Sequence, residues 1–545
     1  MSILEKIAES RRNSIGEVNQ AVRFIRNIRH FNKQSDFLTR KRKTLSEVLM
    51  SSSERGGMGV ISELKVASPS KGSFIENQSV NLPKILDSIY KNLNAVNSEQ
   101  RKIQEILNYP TIYPTMPDLI KRASEMVNYG AIALSILTEP AFFGGSFGNL
   151  LVASLVMDNT IPLLLKDFIV DSGQLTLGKI CGASSALLIV KLCTDSNDLL
   201  NQVRQYHAHG LEPLIELHDK ADFELVKPLK GLDLRYVLGI NNRNLIDLTI
   251  DFNASKNLIP KIRNFFGLRQ PVITESGVTS RQDVLRLKTT GAQAALVGSS
   301  ISESGITNKL DELYGTNTIY FKICGISRLN TVQKLSSEVI NAVGVVTGVH
   351  DSHRNVSVDK AGTLFDHVPD GKMTVLVTKG RSTEEILLLS EQLQPDLLQN
   401  HVKDPVDYII SLPLALQFKT ILPINMNRDS ELMSLLKGDD RTESLKNRYS
   451  RIPGNIYGVL IDTSEGSGLQ QDLNILKRAK EFFGDTLGFN VIVAGGIGIQ
   501  NVAEIINHVH PFGIDLSSSV ETNRFKDITK INKFVQILKE ISKSN

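Results

Sequence analysis

Along this chain, short apolar runs close on a polar or glycine-rich step and give way to apolar residues at helical spacing. The stretch Pro271 to Ser300 shows the pattern most clearly. An apolar run ends at Glu275-Ser276-Gly277, a helical period follows, and a second run, Ala294–Val297, ends at Gly298-Ser299-Ser300. Runs of this length bounded by turn residues predict buried strands with a helix between them. The plan returns in Val491 to Glu521, where one run stops at Gly495-Gly496 and the next at Ser517-Ser518-Ser519. Gly277 and Gly496 lie 219 residues apart, and so do Ser299 and Ser518. A shared offset at both strand ends predicts two copies of one architecture. Each copy would have an anion corner built from small residues and free backbone N–H groups.

Strand candidates continue on this plan through both halves. In the first they are Gly59–Lys65, Ala131–Leu137, Ile161–Leu165, Ala186–Lys191, Pro213–Leu217, Tyr236–Ile240, Val272–Thr274 and Ala294–Val297. In the second they are Ile319–Ile323, Ala342–Val346, Thr374–Val377, Asp396–Gln399, Thr420–Ile424, Tyr457–Ile461, Val491–Ala494 and Ile514–Leu516. Eight strands close a parallel barrel, so the pattern predicts an α/β chain of two tandem (β/α)8 TIM barrels. The periodicity of the first half stops at Leu310, Leu313 and Tyr314, and Gly315-Thr-Asn sets the boundary between 1–315 and 316–545. Residues 1–55 are charged, with apolar residues at helical spacing, and predict extra helices laid outside or across the first barrel. Residues from about 81 to 116 are too long for an ordinary connection and read as an insertion, either a surface decoration or a lid. The charged stretch from Gly438 to Ser444 reads as an exposed loop.

Composition narrows the class. A chain of 545 residues, 41% hydrophobic and 22% charged, suits two globular barrels of about 250 residues each. A net charge of +4 gives no reason to expect nucleic acid, and a mildly basic surface suits small anionic substrates. Three unpatterned cysteines, Cys181, Cys193 and Cys324, point to a reducing compartment, here the cytoplasm. The chain holds no run of 18 apolar residues, so no membrane span is expected.

Polar residues gather where the apolar strands finish, the catalytic end of such a barrel. In the first half these are Glu63, Lys65, Lys166, Glu216, Asn241, Arg243 and Glu275, facing the Gly298-Ser299 corner. Glu63 and Lys65 are two apart and share one face of a strand. A surface ion pair is the ordinary alternative, but the apolar start of the strand and the Ser-Pro-Ser-Lys-Gly turn after it favour a site. Lysine and glutamate at a dry mouth form an acid/base set, in which burial is expected to lower the lysine pKa and raise the carboxylate's. The anion corner implies a phosphorylated substrate. That far, the residues leave a lyase or an isomerase of a phosphosugar-like compound.

Ser62-Glu63-Leu64-Lys65 with Ala67-Ser68-Pro69-Ser70-Lys71-Gly72 resembles the opening signature of the indole-3-glycerol-phosphate synthase family. Leu165–Phe168, Leu214–His218, Gly239–Asn244, Glu275–Gly277 and Val297–Ser300 continue the resemblance in order. It implies closure of 1-(2-carboxyphenylamino)-1-deoxyribulose 5-phosphate to indole-3-glycerol phosphate with loss of carbon dioxide and water. By that resemblance Lys65 pairs with the substrate carboxylate, Lys166 is the general acid, and Glu216 moves a proton with Glu63 in support. Asn241 and Arg243 orient the substrate, and Glu275 holds the ammonium groups. Ser68, Ser276, Gly277, Gly298 and Ser299 hold phosphate or carboxylate. Pro-Ala-Phe-Phe after Glu139 departs from the charged residue expected before the aromatics.

In the second half Phe321-Lys-Ile-Cys-Gly325 puts Cys324 at a strand end and Val459-Leu-Ile-Asp462 puts a carboxylate at another. A buried structural cysteine and a thiolate base facing an acid are equally compatible with that spacing. Lys322–Ile326, Ser352–Val356, Leu460–Asp462, Ala494–Gly496 and Asp515–Glu521 resemble the phosphoribosylanthranilate isomerase family. The resemblance implies an Amadori rearrangement, with Asp462 as acid, Cys324 as base and Arg354 steering the anthranilate carboxylate. Gly495, Gly496, Ser518 and Ser519 would bind phosphate. Departures are Gln399-Asn400-His401, the short Glu465-Gly-Ser-Gly468 loop, and Ser519 and Arg524 where glycines are usual. The expectation is a bifunctional enzyme of tryptophan biosynthesis, working as a monomer on phosphorylated small molecules without cofactor or metal. An active synthase carrying an inactive, structural second barrel is the alternative. A pair of histidine-pathway-type barrels would explain the corners but not the Glu63–Gly72 or Lys166–Phe168 motifs.

Overall fold

The computed structural model describes residues 2–29, 42–53, 58–74, 79–93, 97–244, 247–304, 306–314, 319–438, 442–462 and 472–544. The boundary at Gly315-Thr-Asn and the loop Glu465–Gly468 lie outside the described residues. The chain divides into two compact units. Met58–Thr279 and Ala292–Tyr314 belong to the first, and Ser280–Gly291 and the chain after Tyr314 to the second.

Eight strands build the first barrel: β1 (Gly59–Leu64), β2 (Ala133–Leu137), β3 (Leu163–Lys166), β4 (Ser185–Ile189), β5 (Glu212–Leu217), β6 (Val237–Asn241), β7 (Val272–Glu275) and β8 (Ala294–Val297). Each pairs in parallel with its sequence neighbours, and β1 pairs with both β2 and β8, so the sheet closes. Closure leaves no strand edge, and nearly every strand residue is buried because side chains fill the inside while helices cover the outside.

The N-terminal helices pack on this barrel at both ends. Helix α1 (Ile3–Asn13) starts on a capping box, Ser2 Oγ accepting from Glu5 N at 3.2 Å and Ser2 N donating to Glu5 Oε2 at 2.7 Å. Its Arg11 forms a bidentate pair with Asp167, just past the end of β3, at 3.1 and 2.7 Å. Thr138 Oγ1 donates to the same carboxylate at 2.7 Å. Helix α2 (Ile15–Arg29) runs along the outside against helix Ser172–Ile180. Helix α3 (Leu45–Ser53) closes the opposite end, where Leu45 N donates to Ser185 Oγ and Ser46 N to Glu212 Oε2, both at strand starts. Leu45 and Leu49 join Leu4, Ile61, Leu164, Leu214 and Ile273 in one core that runs through the barrel.

The insertion forms α4 (Leu82–Leu93), α5 (Asn97–Leu107) and a 3-10 turn, Pro110–Ile112. It packs on α6 (Phe147–Val156). Ile85, Ile89, Ile103 and Ile106 are buried, and Thr115 N donates to Asn149 Oδ1 at 2.9 Å. A side chain at Gly148 would meet the Ile112 carbonyl at 1.8 Å, which shows how closely the backbones approach. No described residue of the insertion lines the barrel mouth. Its described residues buttress the flank.

The second barrel comprises β9 (Tyr320–Cys324), β10 (Ala342–Thr347), β11 (Met373–Lys379), β12 (Leu397–His401), β13 (Ile421–Asn425), β14 (Gly458–Asp462), β15 (Val491–Ala494) and β16 (Gly513–Leu516). The parallel path runs β12-β11-β10-β9-β16-β15-β14-β13, and one bridge, Leu398 to Thr420, joins its two ends. Alternation is strict on β9: Phe321 and Ile323 face the helices, while Tyr320 and Cys324 join the inner core with Val375, Ile421 and Leu460. Part of the loop expected from Gly438 to Ser444 is helical, because Thr442–Tyr449 is a helix that buries Leu445 and Tyr449, four residues apart. The repeat is borne out in backbone detail. Ser276 and Gly277 have φ of 64° and 90°, and their equivalents Gly495 and Gly496 have 79° and 60°.

Replacing Arg11 with Leu would leave the Asp167 carboxylate buried with only neutral donors. A destabilisation of about 3–5 kcal/mol is expected in urea unfolding, since breaking a buried pair from one side strands the other charge. An unchanged unfolding curve would refute the pin.

Candidate active sites

At the open end of the first barrel one cavity is lined by all twelve residues expected there: Glu63, Lys65, Ser68, Lys166, Glu216, Asn241, Arg243, Glu275, Ser276, Gly277, Gly298 and Ser299. Glu63, Lys166, Glu216, Asn241 and Glu275 stand at the C-terminal ends of five strands, and the other seven lie in the segments that follow strand ends. Its apolar wall was not anticipated. Ile3, Leu4 and Ile7 come from α1, Phe143 from a short helix, and Phe168, Leu248 and Ile250 from loops. Phe143 belongs to the departing Pro-Ala-Phe-Phe segment, a short helix whose N–H groups Glu139 caps, and it stacks on Phe168 with centroids 6.3 Å apart.

Two ammonium groups organise the polar half. Lys65 Nζ lies 3.1 Å from Glu63 Oε1 and donates to Ser299 Oγ at 2.9 Å. The approach needs Gly298, where a Cβ would sit 2.3 Å from Glu63 Oε1. Lys166 Nζ lies 3.2 Å from Glu216 Oε2 and is hydrogen bonded to Glu275 Oε2. Burial alone would lower the Lys166 pKa, but Glu275, Glu216 and Glu63 outweigh it and raise it. The lowered lysine expected from the sequence is therefore corrected: dryness acts, and three carboxylates overrule it. The two carboxylates sharing Lys166 diverge. Burial pushes Glu275 up, whereas at Glu216 burial is overcome by Lys166 and His218, which hold it down. His218 is a residue the strand-end reading missed; it stands two positions beyond Glu216, on the same face, and that spacing was the available signal.

The second site is held at the ends of β9, β10 and β14–β16. Cys324 ends β9 and is buried, which raises its thiol pKa, with Lys322 acting the other way. Lys322, wholly inside the barrel, donates to Asp515 Oδ2 at 2.6 Å. Asp462 ends β14. Gln399 and His401 lie on one face of β12, with side-chain nitrogens 3.0 Å apart. Asn400 between them faces the other way and accepts from Thr378 Oγ1 at 3.0 Å, so the departure at that position falls outside the mouth.

Arg354 lies against Gly325, the residue after Cys324. It is not open to solvent alone: its Nε and a terminal nitrogen donate to Glu521 at 2.7 and 3.0 Å. Lys526 Nζ meets the same carboxylate at 2.5 Å and Ser517 O at 2.8 Å. Glu521 and Lys526 pair in a hairpin whose turn, Asn523-Arg524, has φ of 50° and 67°. That left-handed backbone explains why glycine would be favoured at Arg524. Ser518 and Ser519 follow β16 in a 3-10 turn.

Comparison with known proteins gives two matches in order. The sequence model of the indole-3-glycerol phosphate synthase family covers residues 77–313, and that of N-(5'phosphoribosyl)anthranilate isomerase covers 321–537. An indole-3-glycerol phosphate synthase of Methanocaldococcus jannaschii is 33% identical, over 56% of this chain and 95% of its own. A multifunctional tryptophan biosynthesis protein of Phycomyces blakesleeanus is 25% identical over 78% of this chain, which spans 60% of that relative's length. The tryptophan biosynthesis protein TRP1 of Phytophthora nicotianae is 26% identical over 76% of this chain and 86% of its own.

Partial burial acts to raise the Glu521 pKa, but Arg354 and Lys526 bring it from 4.5 down to about 2. A carboxylate held below its unfolded value contributes stability above that value, and the contribution is lost as pH falls through this window. Between those pH values the wild-type unfolding temperature should fall more steeply than that of Glu521→Gln. Parallel curves in scanning calorimetry would show that the pair adds nothing.

Proposed function

The chain belongs to the indole-3-glycerol-phosphate synthase family over its first half and carries a phosphoribosylanthranilate isomerase domain over its second. From that premise we propose how its residues divide two successive steps of tryptophan biosynthesis. The isomerase step comes first in chemical order. Asp462 protonates the ribose ring oxygen of N-(5-phosphoribosyl)anthranilate and the ring opens to an iminium. Cys324, ionised against its burial with the help of Lys322, then removes the C2 proton, and the enol so formed becomes the ketone of 1-(2-carboxyphenylamino)-1-deoxyribulose 5-phosphate. Arg354 takes the anthranilate carboxylate, exchanging its internal partner Glu521 for the substrate. Gly495, Gly496, Ser518 and Ser519 take the phosphate through backbone N–H groups.

The synthase step uses the first cavity. Phosphate sits at Ser276, Gly277, Gly298 and Ser299, with Ser68 across from them, and the aromatic ring against Phe143, Phe168 and Leu248. Lys65 pairs with the substrate carboxylate as the ring carbon bearing it attacks the ketone. Lys166, kept charged by its carboxylates, protonates the developing alkoxide. Carbon dioxide leaves and restores aromaticity of the benzene ring. The hydroxyl then leaves as water on a proton from one of the two lysine ammonium groups, and Glu216, kept ionised, accepts the proton lost from the carbon next to nitrogen, with Glu63 in support. Asn241 and Arg243 orient the substrate, and Glu275 fixes Lys166. One observation carries this reading: two lysines and three glutamates converge on an apolar mouth that also holds the Gly298-Ser299 corner. Each site draws on one half alone, which suits a monomer. Among the described residues no helix is long and apolar enough to cross a membrane, which is compatible with work in the cytoplasm.

Supplying phosphoribosylanthranilate and following both products tests the division of labour. Lys166→Ala should lower indole-3-glycerol phosphate formation by about 10³-fold or more and let the ketose intermediate accumulate. Cys324→Ala and Asp462→Ala should each block isomerisation to a similar extent, while the supplied intermediate is still cyclised. An unchanged synthase rate in the first variant, or an unchanged isomerase rate in both others, would sink the corresponding assignment.

A further inference from the structure

Glu216 is held from two sides. Its Oε2 faces Lys166 Nζ at 3.2 Å, and its Oε1 lies 3.3 Å from His218 Nε2. The far side of the imidazole, Nδ1, lies 3.7 Å from Asp222 Oδ2; both ring contacts are ion-pair distances, and neither nitrogen makes a hydrogen bond. Asp222 is anchored in turn: its Oδ2 accepts from His218 N at 2.8 Å, and its Oδ1 lies 3.0 Å from Lys191 Nζ. The side chains of Glu216, His218 and Asp222 are 4%, 9% and 3% exposed, so water screens this row little. Charge alternates along it from Lys166 to Lys191 only if the imidazole carries two protons.

We propose that His218 is a positioning residue of the synthase site, which holds the Glu216 carboxylate ionised and keeps one of its oxygens turned toward Lys166. The proposal rests on the assignment of Glu216 to proton transfer. The groups facing the ring are Glu216 on β5 and Asp222 on helix Lys220–Val226. Behind them stand Lys166 on β3, Glu275 on β7, and Lys191 and Asp219, themselves paired. Asn241 adds a neutral contact to Glu216, and Cys193, near Asp222, is kept as a thiol by burial, which pushes it to about 12. Burial would pull the imidazole down, but Asp222 and Glu216 outweigh it and hold it at about 9. The ring is therefore a cation across the working range, and a neutral replacement withdraws a charge that Glu216 depends on.

The test is the pH dependence of kcat/KM for the supplied ketose intermediate, measured on the whole chain as wild type, His218→Asn, Asp222→Asn and Glu216→Gln. Without the cation the Glu216 pKa rises, so the acid limb should move to higher pH in His218→Asn by about one unit, tenfold in rate on that limb. Asp222→Asn, which weakens the hold on the proton of His218, should move it in the same direction. Isomerase activity of the same samples should stay at the wild-type level and so report the folded chain. Acid limbs that stay in place in both variants, whatever happens to the plateau rate, make His218 an anchor for its helix and overturn the proposal. A Glu216→Gln chain that keeps the wild-type rate overturns instead the assignment on which it rests.

Discussion

Lys166 is buried at the mouth of a closed apolar barrel with carboxylates on two sides, and much else in the first half follows from the need to hold that charge there. An isolated ammonium could not remain ionised in such a place. Glu216 and Glu275 supply the compensation, but a single cation cannot satisfy two buried carboxylates equally. One is held ionised and the other is pushed up, and the asymmetry is set by what each has behind it. Glu216 has His218; the Oε1 atom of Glu275 has no hydrogen-bond partner among the described residues. Two chemically identical side chains are thereby made unequal, which a multistep acid–base reaction requires.

The two barrels keep one backbone corner and differ in what faces it. The paired residues, Ser276-Gly277 after β7 and Gly495-Gly496 after β15, share left-handed backbone. Opposite the corner, the first barrel carries lysines and glutamates on ion pairs of about hydrogen-bond length. The second carries a buried thiol whose nearest cationic company, Lys322, is itself neutralised by Asp515. Fold and corner are thus common property, and the barrels differ in the side chains at a handful of strand ends.

Much of this was legible in the sequence, for reasons that also mark the limit. Parallel barrel strands are short and apolar and end on polar residues, so Glu63, Lys166, Glu216, Glu275, Cys324 and Asp462 could be found from where apolar runs stop. The repeat offset could be read because glycine and serine at a left-handed corner are written into the residue type. What could not be read depends on contacts between distant segments. Nothing local in α1 says that Ile3 and Ile7 line a cavity, and nothing near His218 says that Lys191 stands behind Asp222. The sign of the Lys166 shift failed for the same reason, since burial is a property of one residue and compensation is a property of three. The helix at Thr442–Tyr449 was hidden by charge at its start, although Leu445 and Tyr449 carried the helical spacing.

The plug formed by α3 has a consequence for the order in which the chain can acquire its structure. Its backbone N–H groups are satisfied by Ser185 and Glu212, which follow Leu45 and Ser46 by 140 and 166 residues. Those partners do not exist as strand starts until most of the barrel has been made. This segment is made before its partners and is among the last to find its place, because contacts of such long range are slow to form. Until then Leu45 and Leu49 have no core to enter, and the lower end of the nascent barrel stands open. Early folding intermediates should therefore be more exposed at that end than at any other part of the first unit.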